Sequence, residues 1–113
     1  MTRSLFPKRR TAFTVEFFYR QSGFKVSFSV FDFVTFRVGE IFLATDKTSN
    51  DLEAEARDAM ILASFALQHG ATIEEIRSAM TRDHAGECSS VAGYAIDTVW
   101  NAIEDLKKNA DHA

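Results

Sequence analysis

Thr11-Ala12-Phe13-Thr14-Val15-Glu16-Phe17-Phe18-Tyr19-Arg20, with Phe24-Lys25-Val26-Ser27-Phe28-Ser29-Val30-Phe31 just beyond it, decides the fold. In the first run Phe13, Val15, Phe17 and Tyr19 share one side, and Thr14, Glu16 and Arg20 share the other. A two-residue period of this kind marks a half-buried strand. The second run repeats it, with Phe24, Val26, Phe28 and Val30 set against Lys25, Ser27 and Ser29. Gln21-Ser22-Gly23 reads as the turn between them. Val38 to Ala44 is a third run, Val-Gly-Glu-Ile-Phe-Leu-Ala. Three strands on short links predict an antiparallel sheet with one buried face.

Downstream the period lengthens. Asn50-Asp51-Leu52-Glu53 is a capping-box pattern. After it Leu52, Ala56, Ala59, Met60, Ala63, Ala66 and Leu67 recur at helical spacing. Gly70 suits the position that closes such a helix, with His69 beside it where a cation complements the dipole. Thr72-Ile73-Glu74-Glu75 is a second capping box, opening a short helix with Ile73, Ile76 and Met80 on one side. A third helix is predicted from Ser90 to Lys108, striped by Ala92, Ile96, Val99, Ile103 and Leu106, with Trp100 alongside. The expected fold class is α+β: a three-stranded, or slightly larger, antiparallel sheet followed by three helices packed on one face. One domain spans 11–110, after a basic arm at 1–10 and before a tail at 111–113.

The 113 residues suffice for one modest core. No apolar run approaches the roughly 20 residues of a membrane span, so no membrane association is expected. The basic start, Lys8-Arg9-Arg10, is followed by no apolar segment and is not read as a secretory signal. A single cysteine excludes an internal disulfide and fits a reducing, cytoplasmic setting. The net charge of −3 conceals +4 over residues 1–45 and −7 over 46–113. A basic half can attract phosphate or an acidic partner, including the acidic half of a second copy. The overall acidity argues against duplex nucleic acid as a partner.

Ten of the eleven phenylalanines precede residue 45, and Phe18, Phe31, Phe33, Phe36 and Phe42 fall off the core stripes. Either a longer sheet is buried on more of its surface, or the second sheet face or its edge meets another subunit. Exposed apolar surface on that scale marks an interface, so a homo-oligomer is expected. Phe31-Asp32-Phe33-Val34-Thr35-Phe36-Arg37-Val38 contains no Gly or Asn and makes a poor hairpin turn on residue type alone.

Reactive side chains concentrate in Thr81-Arg82-Asp83-His84-Ala85-Gly86-Glu87-Cys88-Ser89-Ser90. Catalysis by Cys88 and His84 would need a fixed sulfur–imidazole contact and a third group to orient the ring, and no such partner stands out. One Cys and one His supply two ligands where zinc wants three or four, so neither a metal nor a cofactor is expected. An anion suits the residue types better, because Ser89 and Ser90 precede a helix whose first N–H groups are unpaired. Gly93 allows close approach, Arg82 offers a bidentate contact, and Arg57 and Lys47 lie near the start of the first helix. Phe33, Phe36 or Tyr94 would supply a stacking surface. The same stretch also reads as a plain helix cap with an Arg82–Asp83 ion pair.

Several short pieces occur in a telling order: Phe6-Pro7-Lys8-Arg9-Arg10, Gly39-Glu40-Ile41-Phe42-Leu43, Ala56-Arg57-Asp58-Ala59, Ala66-Leu67-Gln68-His69-Gly70, Arg82-Asp83-x-x-Gly86 and Gly93-x-Ala95-x-Asp97. The series resembles stand-alone bacterial TSCPD domains, which are similar to the C-terminal domain of some adenosylcobalamin-dependent ribonucleotide reductases. The name-giving Thr-Ser-Cys-Pro-Asp has only Glu87-Cys88-Ser89-Ser90 as its counterpart here, without the proline or the acid. The resemblance implies an accessory or regulatory domain acting through protein contacts, and it carries over no catalytic residue. In architecture the chain is also similar to the phage anti-Thoeris proteins that sequester nucleotide immune signals. The expectation is a non-catalytic oligomer that sequesters or senses a phosphorylated, nucleotide-like ligand through Arg82, Ser89, Ser90, Gly93 and Arg57.

Overall fold

The computed structural model describes residues 11–45 and 51–111. The basic arm, the loop holding Lys47 and Asn50, and His112 lie outside the described residues. Strands β1 (Thr11–Tyr19), β2 (Ser22–Asp32) and β3 (Arg37–Thr45) precede helices α1 (Asp51–Gln68), α2 (Ile73–Ala79) and α3 (Val91–Asp111). The sheet is antiparallel in the order β1-β2-β3. The α+β reading therefore holds, with the third helix running to Asp111 rather than Lys108.

Alternation puts Phe17, Phe24, Val26, Phe28, Ile41 and Leu43 on the covered face. Cross-strand partners Phe13–Phe28 and Phe17–Phe24 stack with ring centroids 5.5 Å apart, the pairwise contact that stabilises antiparallel neighbours. Helix α3 crosses β1 and β2, α1 lies along β3, and α2 packs on α3. Ala56, Met60, Ala63 and Leu67 of α1 meet Ile96, Val99 and Ile103 of α3 in one core. Leu52, predicted for the same stripe, is instead exposed. Among the described residues no helix is long and apolar enough to cross a membrane.

The first turn differs from expectation. Tyr19 pairs with Ser22, leaving Arg20-Gln21 as a two-residue turn with φ of 49° and 69°. Two positive φ values define the turn whose twist matches the flanking strands, here made by two residues that bear a Cβ. Gly23 sits within β2 opposite Phe18, and Arg20 leaves the strand to place its guanidinium 5.1 Å from the Tyr19 ring centroid.

The β2–β3 connection is a hairpin despite its composition. Asp32 accepts hydrogen bonds from the Val34 N–H at 2.8 Å and the Thr35 hydroxyl at 2.9 Å, and these donors hold its carboxyl below the ordinary range. Phe36 takes the left-handed position at φ 55° and is buried, so one of the phenylalanines off the stripes belongs to the core. Pairing passes from Phe28↔Ile41 to Val30↔Val38 to Asp32↔Arg37, which leaves an extra residue first in β3 and then in β2. At this irregularity the Phe31 ring lies against Gly39. Phe18, Phe33 and Phe42 stay exposed.

The helix ends follow from local chemistry. Gly70, at φ 106°, closes α1: Ala71 N–H donates to Ala66 and Gly70 N–H to Leu67. This is the six-to-one and five-to-two pair of a Schellman cap. Thr72 and Glu75 form the predicted reciprocal capping box of α2. On the outer edge of β3, Ser64 of α1 accepts the Ile41 N–H at 2.9 Å, and its single proton is shared between the Met60 carbonyl at 2.9 Å and the Ile41 carbonyl at 3.1 Å.

Candidate functional site

The stretch from Thr81 to Ser90 folds as a miniature hairpin between α2 and α3. Arg82 and Cys88 bridge across it, Asp83 N–H donates to Glu87, and Gly86 turns the chain at φ 84°. The Asp83 carboxylate accepts from the N–H groups of Ala85 and Glu87, which fixes the tip. Asp83 thus serves the loop backbone, and His84 lies exposed at the tip.

Arg82 points to α3. Its two terminal nitrogens donate to the Asp97 carboxylate at 3.1 and 2.9 Å, a bidentate clamp. It also donates to the Gly86 carbonyl at 3.2 Å. The Cys88 thiol donates to the same carboxylate at 3.0 Å. Arg77 Nε stands 3.1 Å from Asp97 Oδ1 but off the hydrogen-bonding line, so that contact is an ion pair. The Arg82 guanidinium holds the Asp97 carboxyl below its ordinary range, and the carboxylate in turn raises Arg82 further. Burial and the Asp97 carboxylate push the Cys88 thiol up to about 11.

A thiol in that state carries almost no thiolate at neutral pH, which removes its nucleophilic form. Cys88 should accordingly resist a disulfide reagent at pH 8 in the folded protein and react fully once urea unfolds the chain. Complete labelling of the native protein within minutes would contradict this assignment.

The predicted anion contacts are thus brought together, but mostly onto one another. Ser90 caps α3 by accepting the Gly93 N–H at 3.0 Å. A Cβ on Gly93 would stand 3.0 Å from that of Cys88, so this glycine provides room for the cysteine. Ser89 uses its N–H on Thr81 and its carbonyl on the Tyr19 hydroxyl, the latter at 3.4 Å. Arg57 is not part of the group; it pairs with Glu53 one turn earlier on α1.

A cavity of about 400 Å3 lies beside the hairpin, bounded by Tyr19, Arg20, Asp83, Glu87, Ser89 and Tyr94. The Tyr19 and Tyr94 rings are 5.3 Å apart, and the Tyr94 hydroxyl donates to Glu87 at 3.3 Å. Two carboxylates face one guanidinium here. The local field favours a cation over a phosphate.

A second cavity, of about 490 Å3, lies where the β2–β3 turn, the α1–α2 joint and α3 meet. Phe36, Leu67, Ile73, Trp100 and Ile103 give it an apolar wall, while Arg37 and Lys107 bring positive charge. Lys107 Nζ is 6.0 Å from the ring centroids of both Phe36 and Trp100, and Arg77 lies over Trp100 at 5.3 Å. Its polar contributors include Thr35, Thr72 and Glu74.

Comparison with protein-family models, curated proteins and solved structures yields no match. Function therefore rests on this geometry.

Of the aromatic residues singled out from sequence, Phe36 is in the basic cavity and Tyr94 in the acidic one. Trp100 stands beside the predicted stripe of α3, and Lys107 lies near the C-terminal end of that helix, where the dipole favours a cation. Their spacing of seven residues, two helical turns, places them on one face of α3 and was the available signal. Among the described residues no group of His, Cys, Asp and Glu is arranged to hold a metal ion.

Proposed function

We propose that the protein is a non-catalytic binding module for a nucleotide-like aromatic anion, which enters the cavity walled by Phe36 and Trp100. The observation that carries this reading is a lysine ammonium poised over two aromatic rings of an apolar cavity of about 490 Å3. Small-molecule sites have this size and this mixture of apolar wall and few polar groups. A base stacks on the rings, and its phosphate takes Lys107 from Glu104. That exposed contact is long, at 3.4 Å, and exposed pairs are held weakly. The hydroxyls of Thr35 and Thr72 are nearby for a sugar or phosphate oxygen. The described lining includes one carboxylate, Glu74, and neither imidazole nor thiol, which supports holding a ligand rather than transforming it. Sequestration or sensing is the role that follows.

Trp100 is the sole tryptophan, so its fluorescence reports directly on the proposed site. Titration with mono-, di- and cyclic nucleotides is expected to give saturable quenching, with inorganic phosphate as the control. Lys107→Glu should weaken the best ligand about tenfold or more, in line with a charge-assisted contact worth over 1 kcal/mol. A flat titration at millimolar nucleotide would overturn the proposal. The protein-contact reading would then be favoured, with exposed Ile61 and Leu62 of α1 and Phe42 of β3 as its surface.

A further inference from the structure

The two edges of the sheet differ. Helix α1 runs along β3, and its Ser64 hydroxyl occupies the outward Ile41 N–H, whereas no described strand or helix hydroxyl bonds the outer edge of β1. The two-residue turn makes Tyr19–Ser22 a hydrogen-bonded pair, so alternate residues back to Thr11 bond to β2. The N–H and carbonyl groups of Ala12, Thr14, Glu16 and Phe18 consequently point away from the sheet. Alongside this edge Phe13 and Val15 belong to the covered face but are only half-buried. An open groove of about 380 Å3 separates them from Ala102, Asp105 and Leu106 of α3. A nine-residue strand of alternating apolar residues without proline, edge open and flank uncovered, is a template for another strand.

We propose that two copies pair β1 with β1 in antiparallel register into a six-stranded sheet, and that Lys8-Arg9-Arg10 of each copy reaches the acidic cavity of the other. A two-fold axis through Val15 pairs all nine residues, Thr11 against Tyr19, and keeps both inward sets on one face. Antiparallel pairing carries the segment before Thr11 of one copy past Tyr19 of the other. There Asp83 and Glu87 bound the cavity, together with the Tyr19 and Tyr94 rings and Arg20, so the two carboxylates outnumber the one guanidinium already present. Guanidinium groups suit carboxylates flanked by aromatic faces. The halves of the chain carry the matching imbalance, +4 over residues 1–45 and −7 over 46–113.

Length excludes the same chain's Lys8-Arg9-Arg10 as the occupant. Thr11 and Tyr19 are separated by eight strand steps, about 26 Å at the usual rise. Lys8 stands three residues before Thr11, so even fully extended it gains only about 11 Å. Its side chain cannot close the difference. For this run to enter the cavity it must come from a second copy.

The test is sedimentation equilibrium of the full chain at low and high salt, with native mass spectrometry alongside. A dimer at micromolar concentration is expected, loosened by salt because part of the contact is ionic. Reversing the run (Lys8→Glu, Arg9→Glu, Arg10→Glu) alters no described residue and should weaken the dimer at least about tenfold, as several ion pairs are lost together. Adding Glu87→Lys to that variant should recover much of the loss. Glu16→Pro removes an outward N–H without cutting the β1–β2 ladder and should give a monomer with native circular dichroism. A wild-type monomer at high micromolar concentration would overturn the proposal. So would a dimer indifferent to the charge reversal, or one that survives Glu16→Pro.

Discussion

Replacing Asp97 by alanine should cost about 3 kcal/mol of stability, read as a lowered urea midpoint, because it breaks a part-buried ion pair and strands its partner. Asp97 accepts two hydrogen bonds from Arg82 and one from Cys88, and it pairs with Arg77. Its side chain is 24% exposed, so solvent screens the cluster only in part. Without the carboxylate three donors lose their acceptor, two of them charged, and the 82–88 hairpin loses its tie to α3. Asp97→Asn keeps the shape and an oxygen acceptor, and should lose about half as much. The sign with pH is fixed by the direction of the shift. Asp97 ionises below its ordinary range when folded, so its contribution is fully present above the unfolded value of about 4 and fades as pH falls through the folded one. The gap between wild type and Asp97→Asn should therefore be wide at pH 7 and narrow towards pH 3. A constant gap would show that shape, not charge, is what the residue contributes.

Gly39→Ala should cost about 2 kcal/mol by overpacking, although it adds one methyl group to a residue whose φ is ordinary. A Cβ there would stand 1.7 Å from Phe31 Cε2 and 2.6 Å from two other ring carbons. Either the ring leaves its place or the strands part at a point where their register already shifts. Pairing the change with Phe31→Leu tests the cause. The two costs should fall short of adding by at least 0.5 kcal/mol, because the shorter side chain removes the collision. Strict additivity would separate the glycine from the ring. Thermal or urea unfolding of the four proteins suffices.

The sheet was legible because its signal is local. Alternation at Phe13, Val15, Phe17 and Tyr19 needs only the strand's own period, and Gly70 and the Thr72–Glu75 box act within a few residues. The first turn was misplaced because glycine at position 23 outweighs Arg20 and Gln21 in any composition argument. The pairing of Tyr19 with Ser22 is a cross-strand fact that overrides it. In the second hairpin the turn former is Asp32, whose carboxylate does the work expected of Gly or Asn; Thr35 three residues on was the sign of it. The arrangement around Arg82 was hidden for a different reason. Asp83 is adjacent in sequence, yet the clamp goes to Asp97, 15 residues away on α3. Only the crossing of the hairpin over that helix makes the pair. Likewise Phe36 joins Trp100 and Lys107 through packing between elements far apart in the chain, which no periodicity encodes.

Ser64 has a consequence for how far this sheet can grow. A strand edge open on both sides is a monomer unit for a fibre, since each addition exposes a fresh template. Here the β3 edge runs beside α1, whose Ser64 hydroxyl accepts the Ile41 N–H and shares its proton between the Ile41 and Met60 carbonyls. A single open edge makes pairing self-terminating: when two copies meet through it, none is left to recruit a third.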